Sequence, residues 1–278
     1  MESGLYVVAT PIGNLGDISQ RALAVLAAAD LIAAEDTRHS ARLLQHFSID
    51  TPMQAYHDHS DQRALSKVLD CLAAGGVVAL VSDAGTPLIS DPGYRLVRQV
   101  QDLGHAVYPV PGACAAIAAL SASGLPTDRF LFEGFLPAKA GARASRLQAL
   151  AAESATLVFY EAPHRVAETL EAMITCLGGE REALLARELT KTFETLHRAP
   201  LVELSRFVAA DSNQQRGEIV LAVAGRRGRE EVVAPEVAQL LRRLAQELPA
   251  KRAAAVVADC TGLRKKLLYE FLVHSPVE

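Results

Sequence analysis

Four runs in the first 110 residues are apolar at nearly every position: Leu5 to Ala9, Leu31 to Ala34, Val77 to Val81 and Ala106 to Val110. Short runs without alternation predict strands buried on both faces, the condition of a parallel sheet. Helical patterns at 20–29, 40–47, 60–74 and 94–103 separate them and supply the crossovers that such a sheet requires. The second half carries runs at Phe130 to Phe135, Thr156 to Tyr160, Ala183 to Ala186 and Ile219 to Ala224, with helices only near 143–152 and 164–177. Fewer helices per strand predict a mixed sheet. Between them, Leu136 to Arg143 reads as a polar loop with two cations, either a substrate lid or a plain surface loop.

The pattern changes again after Gly225-Arg226-Arg227-Gly228-Arg229. Pro235 opens a helix with Val237, Leu240, Leu241, Leu244 and Leu248 at helical spacing. A second helix, Ala250 to Asp259, passes through Cys260-Thr261-Gly262-Leu263 into a third from Arg264 to Leu272. This is the outline of a helix-turn-helix, which serves as a nucleic-acid contact or only as a packing unit. The predicted organisation is two α/β domains, 1–123 and 124–229, with a cleft between them, and a helical accessory domain at 235–278.

The strand ends carry the chemistry. Val77 to Val81 runs directly into Ser82-Asp83-Ala84-Gly85-Thr86-Pro87-Leu88-Ile89-Ser90-Asp91-Pro92-Gly93. Its glycines and prolines fix special backbone geometry, and its hydroxyls and carboxylates offer bonds to amides or to a ligand. Loops of the same kind follow the first strand, Thr10-Pro11-Ile12-Gly13-Asn14-Leu15-Gly16-Asp17, and the fourth, Pro111-Gly112-Ala113-Cys114-Ala115. In open α/β sheets ligands bind at such strand ends. None of the loops is GxGxxG or GxxxxGK[ST], so a dinucleotide pyrophosphate or a P-loop triphosphate is not indicated, and small residues around an adenosine-like ligand fit better.

These loops, with Glu35-Asp36-Thr37-Arg38, Leu157 to Arg165 and Ala186-Arg187-Glu188-Leu189-Thr190-Lys191, resemble the tetrapyrrole-methylase superfamily of S-adenosylmethionine-dependent enzymes. Within it the likeness is to the branch that methylates a cytidine ribose 2′-hydroxyl of small-subunit ribosomal RNA. The likeness runs from Leu5 to the C-terminal helices. It implies S-adenosylmethionine in the inter-domain cleft, a homodimer, and cofactor contacts at Pro11, Asp83, Ala84, Gly85, Thr86, Ile89, Pro111, Cys114, Ala115 and Glu161. Relatives that methylate tetrapyrrole carbons tend to have Met where Glu161 stands and Gly-Asp-Pro in place of Gly85-Thr86-Pro87. The acidic, Arg-containing cleft therefore favours RNA modification. A precorrin-type C-methyltransferase is the alternative, and a non-enzymatic nucleotide sensor that binds nucleic acid is the second.

A ribose hydroxyl is a weak nucleophile and gains from a positioned base or from cations that stabilise the developing alkoxide. Candidates at strand ends are Asp36, Arg38, Glu161, Arg165, Glu188 and Lys191, with Asp83 and His164 beside them. Glu161 and Glu188 read either as cleft carboxylates or as caps of the following segments. Asp36 reads as a cap and Arg38 as a phosphate ligand, or the two as a structural ion pair. Arg38, Arg165 and Lys191 are expected to line the cleft facing the methyl group. His57-Asp58-His59 has no completing ligand at metal spacing and reads as exposed histidine.

Composition narrows the partners. The formal charge of −4 argues against coating nucleic acid by bulk electrostatics, although residues 235–278 carry a local balance of +2 against −6 elsewhere. Aromatic residues make up 5% of the chain and Trp is absent, so no stacking platform for single-stranded bases stands out. That suits recognition of a structured particle, here the small subunit. No apolar run approaches the roughly 18 to 20 residues of a membrane span, and the N-terminus lacks a signal-peptide pattern; a cytoplasmic protein is expected. Cys71, Cys114, Cys176 and Cys260 are widely spaced and read as packed thiols.

Overall fold

The computed structural model describes residues 1–56, 62–226 and 233–274. His57 to His59 lie outside the described residues. The chain divides into two compact units, Met1–Arg226 and Arg227–Glu278.

The first unit opens with β1 (Gly4–Val8), α1 (Gln20–Ala28), β2 (Leu31–Ala34), α2 (Thr37–His46), β3 (Met53–Ala55), α3 (Gln62–Ala73), β4 (Val77–Val81), α4 (Tyr94–Asp102), β5 (Val107–Val110) and α5 (Ala115–Ala122). All five strands pair in parallel, in the order β3-β2-β4-β1-β5. Every residue of β4 is buried, as its apolar composition demands. Residues Val25, Leu26, Ile32 and Ala79 pack on one face of this sheet, and Val68, Leu72, Val78, Leu96 and Val100 on the other.

A second sheet follows, built from β6 (Phe130–Phe135), α6 (Ala140–Leu150), β7 (Thr156–Glu161), α7 (Val166–Leu177), β8 (Glu182–Arg187), β9 (Thr195–Pro200), α8 (Leu201–Ala210) and β10 (Ile219–Val223). Its order is β6-β7-β10-β8-β9, with β6 parallel to β7 and the other pairs antiparallel. This is the expected mixed sheet. Leu147, Phe159, Leu170, Met173, Leu185 and Leu204 form the core on one face. The other face is covered by α5, through Ala116, Ala119 and Leu120 against Val158, Leu184, Val220 and Ala222. Small side chains on α5 let helix and sheet approach closely, and Ile12 from the first loop joins this core.

The second unit contains α9 (Pro235–Glu247), α10 (Ala250–Thr261) and α11 (Lys265–His274) around Leu241, Ala253, Ala254, Val257, Leu268 and Leu272. Gly262 ends α10 in a left-handed conformation, φ 73°, and its amide closes onto Ala258 O, as a C-terminal cap requires.

Two expectations need correction. Residues 136–143 are not a loop throughout: α6 begins at Ala140, and Arg143 turns inward, 4% exposed, to pair with Glu168 Oε2 at 3.0 Å. Burying that guanidinium requires a carboxylate partner and fixes the segment. Cys260 is exposed and not a packed thiol, while the other three are partly buried.

Candidate active site

The strand-end loops of the first sheet are bonded to one another before any ligand is considered. Thr10 N donates to Gly85 O at 2.8 Å and Gly85 N to Thr10 O at 3.1 Å, joining the loops after β1 and β4 as a two-residue bridge. Thr86 Oγ1 donates to Ala113 O at 2.9 Å, joining the loop after β5. Asp36 N donates to Asp83 Oδ1 at 3.0 Å and Asp83 N to Glu35 Oε2 at 3.3 Å, joining the loop after β2. Four loops are thereby held as one rigid floor.

The loop after β4 stores backbone strain. Gly85 has φ 84°, which a glycine adopts freely, but Leu88 and Ser90 have φ 73° and 65°. Non-glycine residues in that region cost of order 1–3 kcal/mol each and cluster where ligands bind.

Over this floor lies a cavity of about 480 Å³, within the range of small-molecule sites. The first sheet contributes Ile12, Glu35, Asp83 to Thr86, Ile89, Ser90, Asp91, Cys114 and Ala115; the second contributes Phe135, Tyr160 to Pro163 and Gly217 to Val220. Its charged wall is made of five carboxylates, Glu35, Asp83, Asp91, Glu161 and Glu218, and contains no Lys, Arg or His among the described residues. Asp91 registers this field: burial, reinforced by the Glu35 and Asp83 charges and opposed by a hydrogen bond from Ser82, pushes its carboxyl up to about 6. Such a cavity suits a cationic ligand of nucleoside size. The apolar wall of Ile12, Ile89, Ala115 and Val220 suits its neutral part, so the residues present fit S-adenosylmethionine with its sulfonium and ammonium charges.

Tyr160 closes one side. Its hydroxyl accepts a hydrogen bond from Ala116 N at 3.2 Å, and the rings of Phe132 and Phe135 meet it edge-on at 5.0 and 5.8 Å. Burial raises the phenol well above its ordinary range, so it stays neutral. Glu161 is 2% exposed and fully engaged. Its Oε1 accepts from Ala162 N at 2.7 Å, its Oε2 from Thr169 Oγ1 at 2.6 Å, and Arg165 Nε lies 3.4 Å away.

A second cavity of about 310 Å³ adjoins the first and shares Ile12, Asp83, Ala84 and Glu218 with it. The rest of its wall is Thr10, Pro11, Gly13, Leu15, Ser82, Lys191 and, from α2, His39, Ser40, Arg42 and Leu43. Lys191 reaches across from the second sheet and lies over Gly13, where any side chain would collide with it. Its ammonium is held by Glu188 Oε1 at 2.8 Å and Glu218 Oε2 at 3.1 Å.

The expected site residues fall into distinct places. Asp83, Ala84, Gly85, Thr86, Ile89, Cys114, Ala115 and Glu161 line the larger cavity, Pro11 and Lys191 the smaller. Pro111 lies in a shallow depression on the flank with Thr86, Ile89 and Cys114. Asp36 caps α2 through Arg38 N at 2.8 Å and pairs with the exposed Arg38 guanidinium at 2.8 Å, an arrangement that holds the Asp36 carboxyl down at about 2. Arg165 turns inward and donates to the carbonyls of Leu136 and Pro137 at 2.7 and 3.2 Å, while His164 is exposed. Glu188, in a left-handed conformation at φ 51°, receives Glu218 N at 3.0 Å and Lys191. Arg38, Arg165 and Lys191 thus do not share one lining. The sequence reading missed Glu35, Asp91, Tyr160, Phe135 and Glu218 in the larger cavity, and His39 and Arg42 in the smaller. The His39, Arg42, Leu43 spacing on one face of α2 was the available signal.

No metal-binding cluster of His, Cys, Asp or Glu is present among the described residues, and none of their helices is long and apolar enough to cross a membrane.

The family model of the tetrapyrrole (corrin/porphyrin) methylases matches residues 4–205, and that of the RsmI C-terminal HTH domain matches residues 231–274. The chain is 60% identical over 268 residues to "Ribosomal RNA small subunit methyltransferase I" of Pseudomonas aeruginosa, covering 96% of this chain and 95% of that one. It is 56% identical to the protein of the same name from Vibrio cholerae, covering 96% and 93%. Among solved structures it is similar to uroporphyrin-III C-methyltransferase from Thermus thermophilus complexed with S-adenosyl homocysteine, with a TM-score of 0.54 and 18% identity over 80% of this chain and 97% of that one.

Proposed function

The chain belongs to the tetrapyrrole (corrin/porphyrin) methylase family, and from that premise we propose that it is an S-adenosylmethionine-dependent methyltransferase acting on the 2′-hydroxyl of a cytidine in small-subunit ribosomal RNA. The observation that carries this reading is the larger cavity: nucleoside-sized, at the ends of parallel strands, with five carboxylates and no cation in its charged wall. When bound, S-adenosylmethionine supplies a methyl group already made electrophilic by its sulfonium. The task left to the protein is to hold the hydroxyl in line with that methyl and to keep water out.

With the methyl passing to the ribose oxygen and the cofactor leaving as a neutral thioether, what this chain must supply is a base for the hydroxyl proton. Asp83 stands where such a base is needed. It belongs to the wall common to both cavities, and its carboxylate is oriented by Asp36 N at 3.0 Å. Ile12 and Ala84, on the same wall, are apolar and exclude water from the transfer. Lys191, anchored by Glu188 and Glu218, has a third N–H left to donate to the oxygen that loses its proton.

The RNA partner is the small subunit, by the names of the relatives, and the α9–α11 unit contributes an accessory contact to it. The protein works in the cytoplasm as a homodimer; exposed Phe193, just before the outer edge strand β9 of the second sheet, and Leu196 on that strand suit a subunit contact. Incubation of the protein with methyl-labelled S-adenosylmethionine and either small subunits or a tetrapyrrole precursor tests the reading. We expect label in small-subunit RNA at a linkage that resists alkaline cleavage, as a 2′-O-methyl does. Label only in the tetrapyrrole, or in neither, overturns it.

A further inference from the structure

The smaller cavity lies beside the one that fits the cofactor, and its wall combines apolar and basic groups. One side is apolar, from Pro11, Ile12, Leu15 and Leu43; the other carries Ser40, His39, Arg42 and Lys191. His39, Arg42 and Leu43 sit at i, i+3 and i+4 on α2 and so present to the cavity together. Lys191 is neutralised by two carboxylates, whereas Arg42 and His39 enter no ion pair among the described residues. An unpaired guanidinium at the mouth of a half-apolar cavity is matched by an anion attached to a flat, uncharged group. A volume of about 310 Å³ is at the lower end of small-molecule sites and admits one nucleotide, not several.

We propose that this cavity receives the single nucleotide that is methylated, turned out of its RNA strand, with its ribose against the shared wall of Ile12, Asp83, Ala84 and Glu218 and its phosphate on Arg42 and His39. The inference rests on the methyltransferase reading above and deepens it. Enzymes that act on a nucleotide within a folded strand extrude it into a fitted pocket. The shared wall explains why the pockets adjoin: the hydroxyl reaches the methyl only if ribose and sulfonium meet at one partition. Arg42 lies outside the cofactor cavity, so binding of the two ligands is separable by mutation.

The test uses the full-length protein with Arg42→Ala and His39→Ala, both at exposed positions. For Arg42→Ala we expect KM for small subunits to rise about tenfold, the equivalent of 1.4 kcal/mol, with kcat changed less than twofold and S-adenosylmethionine affinity unchanged in calorimetry. In anisotropy titrations of a labelled small-subunit RNA fragment, the dependence of log Kd on log salt should flatten by about 0.7 to 0.9, the loss of one phosphate contact. His39→Ala should change KM in the same direction by a smaller factor, and Arg42→Lys should restore part of the loss. Wild-type KM and salt slope in both alanine variants would overturn the assignment. A wild-type protein that leaves small subunits unlabelled would instead overturn the methyltransferase reading, and the anisotropy titration then decides the pocket alone: a flattened slope in Arg42→Ala keeps it and an unchanged slope removes it.

Discussion

The two adjoining cavities share a wall and differ in charge, one acidic throughout and the other with Arg42 and Lys191 set against Asp83 and Glu218. The larger holds five carboxylates and no cation among its described residues; the smaller brings His39, Arg42 and Lys191 to the same strand ends. A reaction between a sulfonium donor and a polyanionic RNA brings together reactants of opposite charge; the purely acidic wall suits the first, and only the cavity with cations offsetting its carboxylates can receive the second. Asp83 and Glu218 stand at the partition. The comparison is most directly broken at Asp83. In Asp83→Asn the side-chain oxygen still accepts from Asp36 N, so the loops stay tied, but the basicity is lost. We expect kcat to fall about 10²- to 10⁴-fold, the worth of a general base, with cofactor affinity changed far less. Single-turnover methylation with saturating subunits checks this, and a loss of less than threefold would reassign proton removal to solvent.

Removing the larger cavity alone gives the next effect. A side chain at Gly85 meets Ile12 Cγ2 at 3.3 Å and must adopt φ 84°, while the Thr10–Gly85 bridge holds the backbone in place. Gly85→Val should weaken S-adenosylmethionine binding by at least tenfold, consistent with the 1–3 kcal/mol of such backbone strain. RNA affinity, measured by anisotropy without cofactor, should hold within about twofold if the compartments are as separate as their walls.

These compartments were unevenly legible in the sequence. Val77 to Val81 read as a doubly buried strand and the segment after it as a rigid strand-end loop, because apolar runs and Gly/Pro spacing are local signals. The two sheets and most of the helices followed. β3 was missed because three residues carry no periodicity, and β9 because it is a half-exposed edge strand with polar alternation ending at Pro200. Arg143 read as a loop cation and Arg165 as a cleft cation, since nothing local announces a guanidinium that turns inward; their partners, Glu168 and the Leu136 carbonyl, come from distant elements. The pairing of Asp83 with Glu35 and Asp36 is likewise a product of strand order, β2 beside β4, which the chain order conceals.

A third effect separates both cavities from the C-terminal helices. All residues lining them lie within Met1–Arg226, a compact unit by itself, and α9–α11 have their own core. A protein ending at Arg226 should bind S-adenosylmethionine within about twofold of the full chain, yet methylate small subunits about tenfold less efficiently, as expected for loss of a few phosphate contacts. Retained methylation at full rate would confine RNA recognition to the smaller cavity and its surroundings.

The smallest effect sharpens the charge contrast through pH. Burial and the Glu35 and Asp83 charges raise the Asp91 carboxyl from 3.8 to about 6 in the folded protein. Between those values the folded state holds a proton that the unfolded state has released. The contribution of Asp91 to stability is therefore full below pH 3.8 and declines as pH rises through about 6, above which an ionised carboxylate sits among like charges. A cationic ligand reverses the balance: it relieves that repulsion, so S-adenosylmethionine should bind severalfold more tightly at pH 7.5 than at pH 5, with a midpoint near 6, and the bound state should take up less proton than the free one. Asp91→Asn carries no titrating charge at this position; its affinity should vary less across the same range, and its melting temperature should fall less as the pH rises from 4 to 7. Calorimetric titrations of both proteins at four pH values measure the first difference. An identical pH profile in the variant would take the titration away from Asp91.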